Sequence, residues 1–277
     1  MNDVVSEVRA ELISAIENNK IVLPTLPEVA LQVREAAEDP DSDVASISKV
    51  LSNDAGLSAR VVRVANSPLL RAASPITDLR MAVSRLGIQY SCNLAIGLAM
   101  EQMFQATSDA VDRRMRAIWG KSTEVAGISS VLAKIYTKLK PDQATLAGLV
   151  HKIGALPILR FAEEERKLLN GDILDLLIDN LHAEIGTMIL QTWGFAPELV
   201  AIPNEYMNFQ RSPANLDYAD LVQVAYLQSI IGTDDPLVNM DWSTISSFSR
   251  VGLDPSVNAL EIEDLSEAME ASIAALK

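Results

Sequence analysis

The sequence predicts an all-α protein folded as a two-lobed helical bundle. Apolar residues recur at three- and four-residue spacing along most of the chain, which is the period of an amphipathic helix. Aromatic residues make up only 5% of the 277 residues, a composition that suits helices packed on helices better than sheets. No segment shows the sustained period-two alternation of a half-buried strand.

The first lobe is predicted to contain six helices. The first has a regular apolar stripe, and Pro27 lies in the first turn of the second, where its missing N–H has no partner to lose. Asp43, Asp54 and Thr77 are the predicted N-caps of three further helices, the last of which ends at Gly87. The predicted ranges are 3–18, 27–38, 44–51, 55–65, 78–86 and 88–104.

The polar segment QATSDA, at 105–110, is the predicted boundary between lobes 1–106 and 107–277 of a single domain. The last helix of the second lobe has an acidic face, because six acids and one base lie between Asp254 and Lys277. We expect that face to be solvated or to contact a partner. The predicted helices of this lobe are 110–139, 142–153, 172–193, 197–203, 216–231 and 256–276.

The formal net charge of −14 disfavours general binding to nucleic acid, since a negative protein repels phosphate backbones. The sign of the local charge is reversed between Asp54 and Gly87, where the sequence contains five arginines and only two acids. A solvated helix surface is the simpler interpretation of this stretch, and an anion or partner site is the alternative. The five are Arg60, Arg63, Arg71, Arg80 and Arg85.

Cys92 is the single cysteine, so an intrachain disulfide is excluded and a reducing compartment is favoured. The N-terminal residues are acidic, which does not match a secretory signal. The longest uninterrupted apolar run, LAIGLAM at 94–100, is far shorter than the ~20 residues that a membrane span needs. We therefore expect a soluble, cytoplasmic chain without a membrane partner.

Two short motifs begin or end like ligand-binding loops but lack residues that those loops need. WGKS, at 119–122, ends like a phosphate-binding loop, yet Met115 occupies the required glycine position. DPDSD, at 39–43, begins like a calcium loop, but Val44 and Val50 replace its glycine and its bidentate acid. HExxH, GxSxG and paired-cysteine motifs are absent from the sequence, so we expect no cofactor.

The two histidines of the chain, His151 and His182, lie in no cluster of metal ligands along the sequence. A histidine in such a setting is more often structural or exposed than a ligand. One apolar stripe is formed by Leu146, Leu149, Val150 and Ile153, so His151 is predicted to project to the opposite side of its helix.

Six stretches of the chain carry a family resemblance. They are LPTLPEV, LSNDAGLSARVVRVANSPLL and SPITDLRMAVSRLG in the first lobe, and AIWGKSTEVAGISSVLA, LAGLVHKIGALPIL and LHAEIGTMILQTWGFAPELV in the second. Together they closely resemble the HDOD domain, a bacterial relative of the HD-domain metal phosphohydrolases. The resemblance covers about residues 20–232 and implies an all-helical fold whose second lobe is HD-like.

The resemblance also implies where the metal ligands of an active HD site would lie. An active site of this kind uses histidines, a His-Asp doublet and a distant aspartate. The corresponding positions here are Lys121, His151, Lys152, His182, one of residues 204–206, and Tyr226. The register within 204–206 is open, and Glu205 is one candidate. Two ligand positions thus correspond to lysines and one to a tyrosine.

These replacements imply that the site holds no metal and has no hydrolase activity. A protonated lysine has no lone pair to donate, and at ~4 Å and an effective dielectric of about 20 it repels a divalent cation by several kcal/mol. Three roles remain open for the lysines. In the first, both are surface residues without a function. In the second, Lys152 forms an ion pair with Glu205 in place of the metal. In the third, Lys121, Lys152 and His151 bind a nucleotide or a small anion.

The preferred interpretation of function is a non-catalytic protein-interaction module of bacterial signalling, with an unknown protein as its partner. One candidate contact surface is the acidic last helix, and another is the set Arg60, Arg63, Asn66, Ser67 and Arg71. Asn66 and Ser67 have the alternative role of capping the end of their helix.

The second interpretation is a metal-dependent phosphohydrolase, as in the wider superfamily. It would have to rebuild its site with acids from elsewhere in the chain. The candidates are Glu124, Asp142 and Asp220.

Overall fold

The computed structural model describes residues 2–18, 20, 22–70, 74–165 and 171–277. Within these ranges every regular element is helical and no strand forms. The predicted all-α class is therefore confirmed, as the helical periodicity of the apolar residues requires.

Fifteen α-helices follow one another along the described part of the chain. They are α1 (Asn2–Glu17), α2 (Glu28–Glu38), α3 (Val44–Leu51), α4 (Ala55–Ala65), α5 (Leu79–Leu86), α6 (Ile88–Ala99), α7 (Asp109–Tyr136), α8 (Pro141–Val150), α9 (Ala155–Glu164), α10 (Gly171–Thr192), α11 (Pro197–Val200), α12 (Ile202–Glu205), α13 (Tyr218–Ser229), α14 (Ser246–Val251) and α15 (Glu263–Leu276). Short 3-10 helices lie at Pro68–Leu70, Met100–Met103, Pro236–Asn239, Trp242–Thr244 and Ala259–Glu261.

Aspartate caps begin three helices of the first lobe. Asp43 and Asp54 each accept a hydrogen bond from the amide three residues later, at 2.8 and 2.9 Å, as predicted. The prediction that Thr77 caps α5 is wrong, because Asp78 accepts the hydrogen bond of the Met81 amide at 2.8 Å. A carboxylate at the N-cap reaches the third amide of the helix, so the aspartate defines where α5 begins.

Several helices differ from the prediction. Helix α8 ends at Val150 and not at residue 153, α15 begins at Glu263 and not at residue 256, the predicted helix 197–203 is divided into α11 and α12, and α14 was not predicted. Helix α6 ends at Ala99 and continues as a 3-10 helix, so the single helix predicted to residue 104 is wrong. Helix α9 was not predicted, since Gly154 and Pro157 interrupt the apolar pattern. Pro157 is the third residue of α9, where its missing N–H would have no intrahelical acceptor.

The two lobes share one core. Gly97 on α6 lies so close to α8 that a Cβ atom there would be 2.6 Å from Leu149 Cδ1. Gly127 on α7 approaches α15 equally closely, with Ile273 Cγ1 at 2.6 Å from the position of a Cβ. The buried apolar residues of both lobes accordingly form one continuous cluster.

Both ends of the described chain pack across the predicted lobe boundary. Arg9 of α1 pairs with Glu184 of α10 at 2.6 Å. Trp193 Nε1 donates a hydrogen bond to the carbonyl oxygen of Pro24 at 2.8 Å. At the other end, α15 contacts α4 of the first lobe as well as α7 of the second. The terminal segments therefore tie the two lobes together.

One described stretch, Pro141–Glu164, is long and apolar enough to cross a membrane by length and composition. It comprises α8, α9 and the turn between them, and 83% of its most apolar window is buried inside the fold. Core helices of soluble proteins pass the same test, so the stretch is only a weak indication of a membrane span.

Candidate functional site

The turn at 151–154, between α8 and α9, carries both His151 and Lys152. A Cβ atom on Gly154 would lie 2.0 Å from the carbonyl oxygen of His182 and 2.4 Å from the amide nitrogen of Gly186. Only glycine permits such an approach. The turn is therefore held directly against α10, at the residue that carries the second imidazole.

His151 is fully buried. Helix α8 is buried without interruption from Ala144 to Val150, so the side opposite the apolar stripe is buried as well and has no solvent face there. The Nδ1 atom of His151 lies 2.6 Å from the carbonyl oxygen of Gly148. A carbonyl only accepts, so Nδ1 carries the proton and Nε2 holds a lone pair. That Nε2 has no hydrogen-bond partner among the described residues.

The second imidazole, His182, contacts Tyr206, whose hydroxyl oxygen lies 3.2 Å from its Nε2. The Tyr206 ring also meets His151 edge-on, with centroids 4.8 Å apart. Of the three candidates at 204–206, Tyr206 is thus the residue that enters the site. The candidate Glu205 does not join these rings, and its carboxylate pairs with Arg211 at 3.1 Å. Neighbouring residues of a helical turn project in different directions, which separates the two side chains.

Tyr226 completes a cluster of four buried rings. Its centroid lies 5.5 Å from that of Tyr206 and 6.2 Å from that of His151, and its hydroxyl donates to Asp235 at 3.4 Å. The ring cluster consists of His151, His182, Tyr206 and Tyr226. Residues that are distant in sequence are therefore brought together, as the resemblance implied.

The two lysines of the site are paired with acids, although neither pairs with Glu205. Lys121 Nζ lies 2.7 Å from Glu124 and donates a hydrogen bond to the carbonyl oxygen of Ser229 at 3.0 Å. Lys152 Nζ lies 3.6 Å from Asp179 on α10. The hypothesis of a Lys152–Glu205 pair is wrong, because both groups have other partners.

A cavity of about 380 Å³ opens beside the ring cluster. Lys121, Lys152 and Tyr226 line it, together with Arg114 and Ile178. We refer to it as the lysine cavity. It is the place where the HD-like positions meet the protein surface.

Burial keeps both imidazoles neutral. Desolvation, assisted by the charge of Lys152, lowers the pKa of His151 and that of His182 to about 3. Burial likewise raises the pKa of Tyr206 well above its usual value, so that its phenol stays protonated. The ring cluster is therefore uncharged near neutral pH.

The side chains of the site do not fit a divalent metal. Within the described ranges, no group of three or more His, Cys, Asp or Glu side chains is arranged to hold one. Lys121 and Lys152 offer no lone pair while they are protonated. The two imidazoles alone fall short of the three or four protein ligands that such ions usually take.

The acids proposed to rebuild a metal site already have partners. Glu124 pairs with Lys121 at 2.7 Å. Asp142 is buried, and its Oδ2 accepts a hydrogen bond from Asn93 at 2.6 Å. Asp220 belongs to a separate cluster of ion pairs. None of the three therefore stands among the ring-cluster side chains as a spare carboxylate.

That ion-pair cluster was missed by sequence reasoning. Asp220 is fully buried and pairs with Arg211 and with Arg250, the latter at 2.7 Å. Burial opposes its charge, but the hydrogen bond from Arg250 and the charge of Arg211 hold the pKa of Asp220 below its usual value. Gln223, one turn further along α13, donates to the carbonyl oxygen of Tyr206 at 3.0 Å. The ion-pair cluster thus stabilises the segment that positions Tyr206. No local sequence pattern predicts this cluster.

The predicted contact surface on α4 is largely structural. Arg60 donates hydrogen bonds to Glu101 and to the carbonyl oxygen of Leu276, so it anchors α15. Asn66 exchanges hydrogen bonds with the backbone of Ile76 at 2.8 and 2.9 Å. Its Nδ2 also donates to the carbonyl oxygen of Val62 at 3.1 Å, so Asn66 caps the end of α4, the alternative considered above.

The remaining members of that surface divide into three cases. Ser67 is buried, so the proposal that it contacts a partner is wrong for the described structure. Arg63 is exposed and remains available. Arg71 lies outside the described residues.

Comparison with known proteins gives a consistent picture of this fold. A crystal structure from Shewanella amazonensis SB2B, provisionally described as a metal-dependent phosphohydrolase, matches with a TM-score of 0.90 and 29% identity over 100% of both chains. An HDOD domain protein with unknown function from Geobacter sulfurreducens matches with a TM-score of 0.65 and 24% identity, over 97% of this chain and 98% of that chain.

A curated relative from Treponema pallidum (strain Nichols), described as an uncharacterized protein, is 26% identical over 212 residues. The match covers 71% of this chain and 38% of the relative, so this chain spans well under half the length of that protein. The family model of the HDOD domain matches residues 23–208, which is more than half of the chain. The protein therefore belongs to the HDOD domain family.

Proposed function

We propose that this protein is a non-catalytic module of bacterial signalling that acts in the cytoplasm through contacts with another protein. The observation that carries the proposal is the placement of Lys121 and Lys152 at the edge of the ring cluster. In a metal-binding HD site these positions would hold a histidine and an aspartate. Membership of the HDOD family supports a role in signalling, and the buried, free Cys92 agrees with a reducing compartment.

The chemistry of the site supports the absence of catalysis. Hydrolysis of the HD type requires a metal that lowers the pKa of a bound water. The site offers two neutral imidazoles as ligands, while its two ammonium groups have no lone pair and repel a cation. The cavity carboxylates Asp179 and Asp235 already have partners in Lys152 and Tyr226. Both phenols of the cluster have raised pKa values and stay protonated, so neither acts as an anionic ligand.

A metal-dependent phosphohydrolase is the second candidate. It is favoured by the 29% identity and full-length structural match to the Shewanella amazonensis protein of that provisional description. Against it stand the three engaged acids Glu124, Asp142 and Asp220.

Metal analysis combined with a phosphatase screen separates the two candidates. The full chain would be purified without chelator, analysed for bound metal by mass spectrometry, and assayed with manganese against phosphate monoesters and diesters. We expect less than stoichiometric metal and no turnover above that of a His151→Gln variant. Stoichiometric metal with turnover that the variant loses would overturn the proposal.

The interaction itself is tested with a charge-reversed surface variant. Arg63 is suited to this purpose, since it is exposed and has no ion pair within the described chain, whereas Arg60 anchors α15. A protein captured from the native bacterium would be identified, purified and titrated against wild type, Arg63→Glu and the control Lys134→Glu on α7. We expect Arg63→Glu alone to weaken binding. Equal binding to all three would remove the α4 surface from the proposal.

A further inference from the structure

Three cations and three acids line the lysine cavity, and two of the cations, Arg114 and Lys152, are less exposed than their acidic partners. Arg114 and Lys121 lie seven residues apart on α7 and so share one face of that helix. Lys152 enters from the turn at 151–154. The side chain of Lys152 is 19% exposed, whereas that of its partner Asp179 is 68% exposed. Solvent therefore screens the carboxylate of Asp179 more strongly than the ammonium group of Lys152.

Lys152 is the cation whose hydrogen bonds the protein does not use. Lys121 donates to Ser229, and Arg114 donates to Asp175. Lys152 Nζ approaches Asp179 only to 3.6 Å, beyond hydrogen-bond distance, and donates to no other described residue. An ammonium group has three donors. The turn that carries Lys152 is locked against α10 by Gly154, so the backbone from which Lys152 extends is held in a fixed place.

The rest of the cavity offers groups of two other kinds. Asp179 and Asp235 provide acceptor oxygens, while Ile118 and Ile178 provide an apolar wall. The ring of His151 lies next to Tyr226, and that of His182 lies next to Tyr206. Each of these buried imidazoles has one ring nitrogen without a partner in the described chain. A volume of about 380 Å³ exceeds that of a bare inorganic ion and lies within the range of small-molecule pockets.

We propose that the lysine cavity binds a small hydroxylated organic anion. Its phosphate or carboxylate group contacts Lys152 and Lys121, and its hydroxyl groups donate to Asp179 and Asp235. The ligand thereby interrupts the Lys152–Asp179 ion pair between the turn and α10. The inference rests on the proposed non-catalytic function, because the ligand is bound and not converted.

Calorimetric titration of the full chain tests this assignment. The probes are ribose 5-phosphate, gluconate and uncharged ribose, and the variants are Lys152→Gln and, as a control on the same helix as Lys121, Lys134→Gln. We expect at least one anion to bind and ribose not to bind. Lys152→Gln should weaken binding about tenfold or more, the effect of losing a charge-assisted hydrogen bond, and Lys134→Gln should leave it unchanged.

The outcomes distinguish this inference from the proposed function. No heat with either anion at millimolar concentration would overturn the ligand assignment, as would binding that Lys152→Gln does not weaken. Circular dichroism and thermal unfolding verify that the variant is folded, and Lys152→Arg, which keeps the charge, should retain most of the affinity. Slow hydrolysis of ribose 5-phosphate in the same cell would instead overturn the non-catalytic function while leaving the site in place.

Discussion

Acidification should destabilise this protein through its two histidines, by roughly 3 kcal/mol between about pH 7.5 and about pH 5.5. Both imidazoles are buried, and desolvation, assisted by the charge of Lys152, lowers the pKa of each to about 3. Folding therefore keeps them neutral where an unfolded chain would protonate them.

The magnitude follows from linkage between protonation and folding. In the unfolded chain each imidazole regains an ordinary pKa of about 6.5. At about one pH unit below that value, protonation stabilises the unfolded state by about 1.4 kcal/mol per histidine, and two histidines give roughly 3 kcal/mol. The stabilisation is fully present above the unfolded pKa, and it is lost as the pH falls from there towards the folded pKa.

Urea denaturation followed by circular dichroism at closely spaced pH values measures this loss. The chain has only two histidines, so no other side-chain type with an ordinary pKa titrates in the same window. A His151→Gln variant should show about half the pH-dependent loss, whatever its stability at neutral pH. A flat profile for the wild type would refute the reasoning, because the imidazoles would then accept protons within the folded state.

Two further substitutions test how the site is held. Gly154→Ala should lower the free energy of unfolding by about 3 kcal/mol or more, since the added Cβ would lie 2.0 and 2.4 Å from backbone atoms of α10. Thermal unfolding measures this loss. A loss below about 1 kcal/mol would contradict the prediction, because it would show that the turn can move away from α10. Asp220→Asn should cost roughly 3–5 kcal/mol by urea denaturation, because it leaves Arg211 and Arg250 without their buried carboxylate. The more exposed Asp217→Asn is the control and should cost about 1 kcal/mol or less; equal losses would contradict the role of burial.

Much of the fold could be predicted from local chemistry. The caps Asp43 and Asp54 lie where their side chains satisfy the first free amides of a helix, a rule that needs only a few neighbouring residues. Helix α9 escaped prediction because the same local rules treat Gly154 as a breaker. The tertiary reason for Gly154, its contact with α10, lies almost 30 residues further along the chain.

The residues of the site could be predicted from the sequence, but the contacts between them could not. The resemblance placed Lys121, His151, Lys152 and Tyr226 in one region, and the structure brings them together. It could not choose between Glu205 and Tyr206, because that choice depends on how the short helix α12 is rotated against α10. The ion pairs of Asp220 likewise depend on residues from three separated segments.

The sequence by itself determined the helical class, most helix boundaries and the chemical character of the HD-like positions, because each depends on periodicity, capping or residue type within a short window. Only the tertiary structure decided that both histidines are buried and neutral, that Lys152 pairs with Asp179, and that Arg60 anchors the last helix. Burial and ion pairing are properties of atoms that meet across distant segments, so they exist only once the helices have packed.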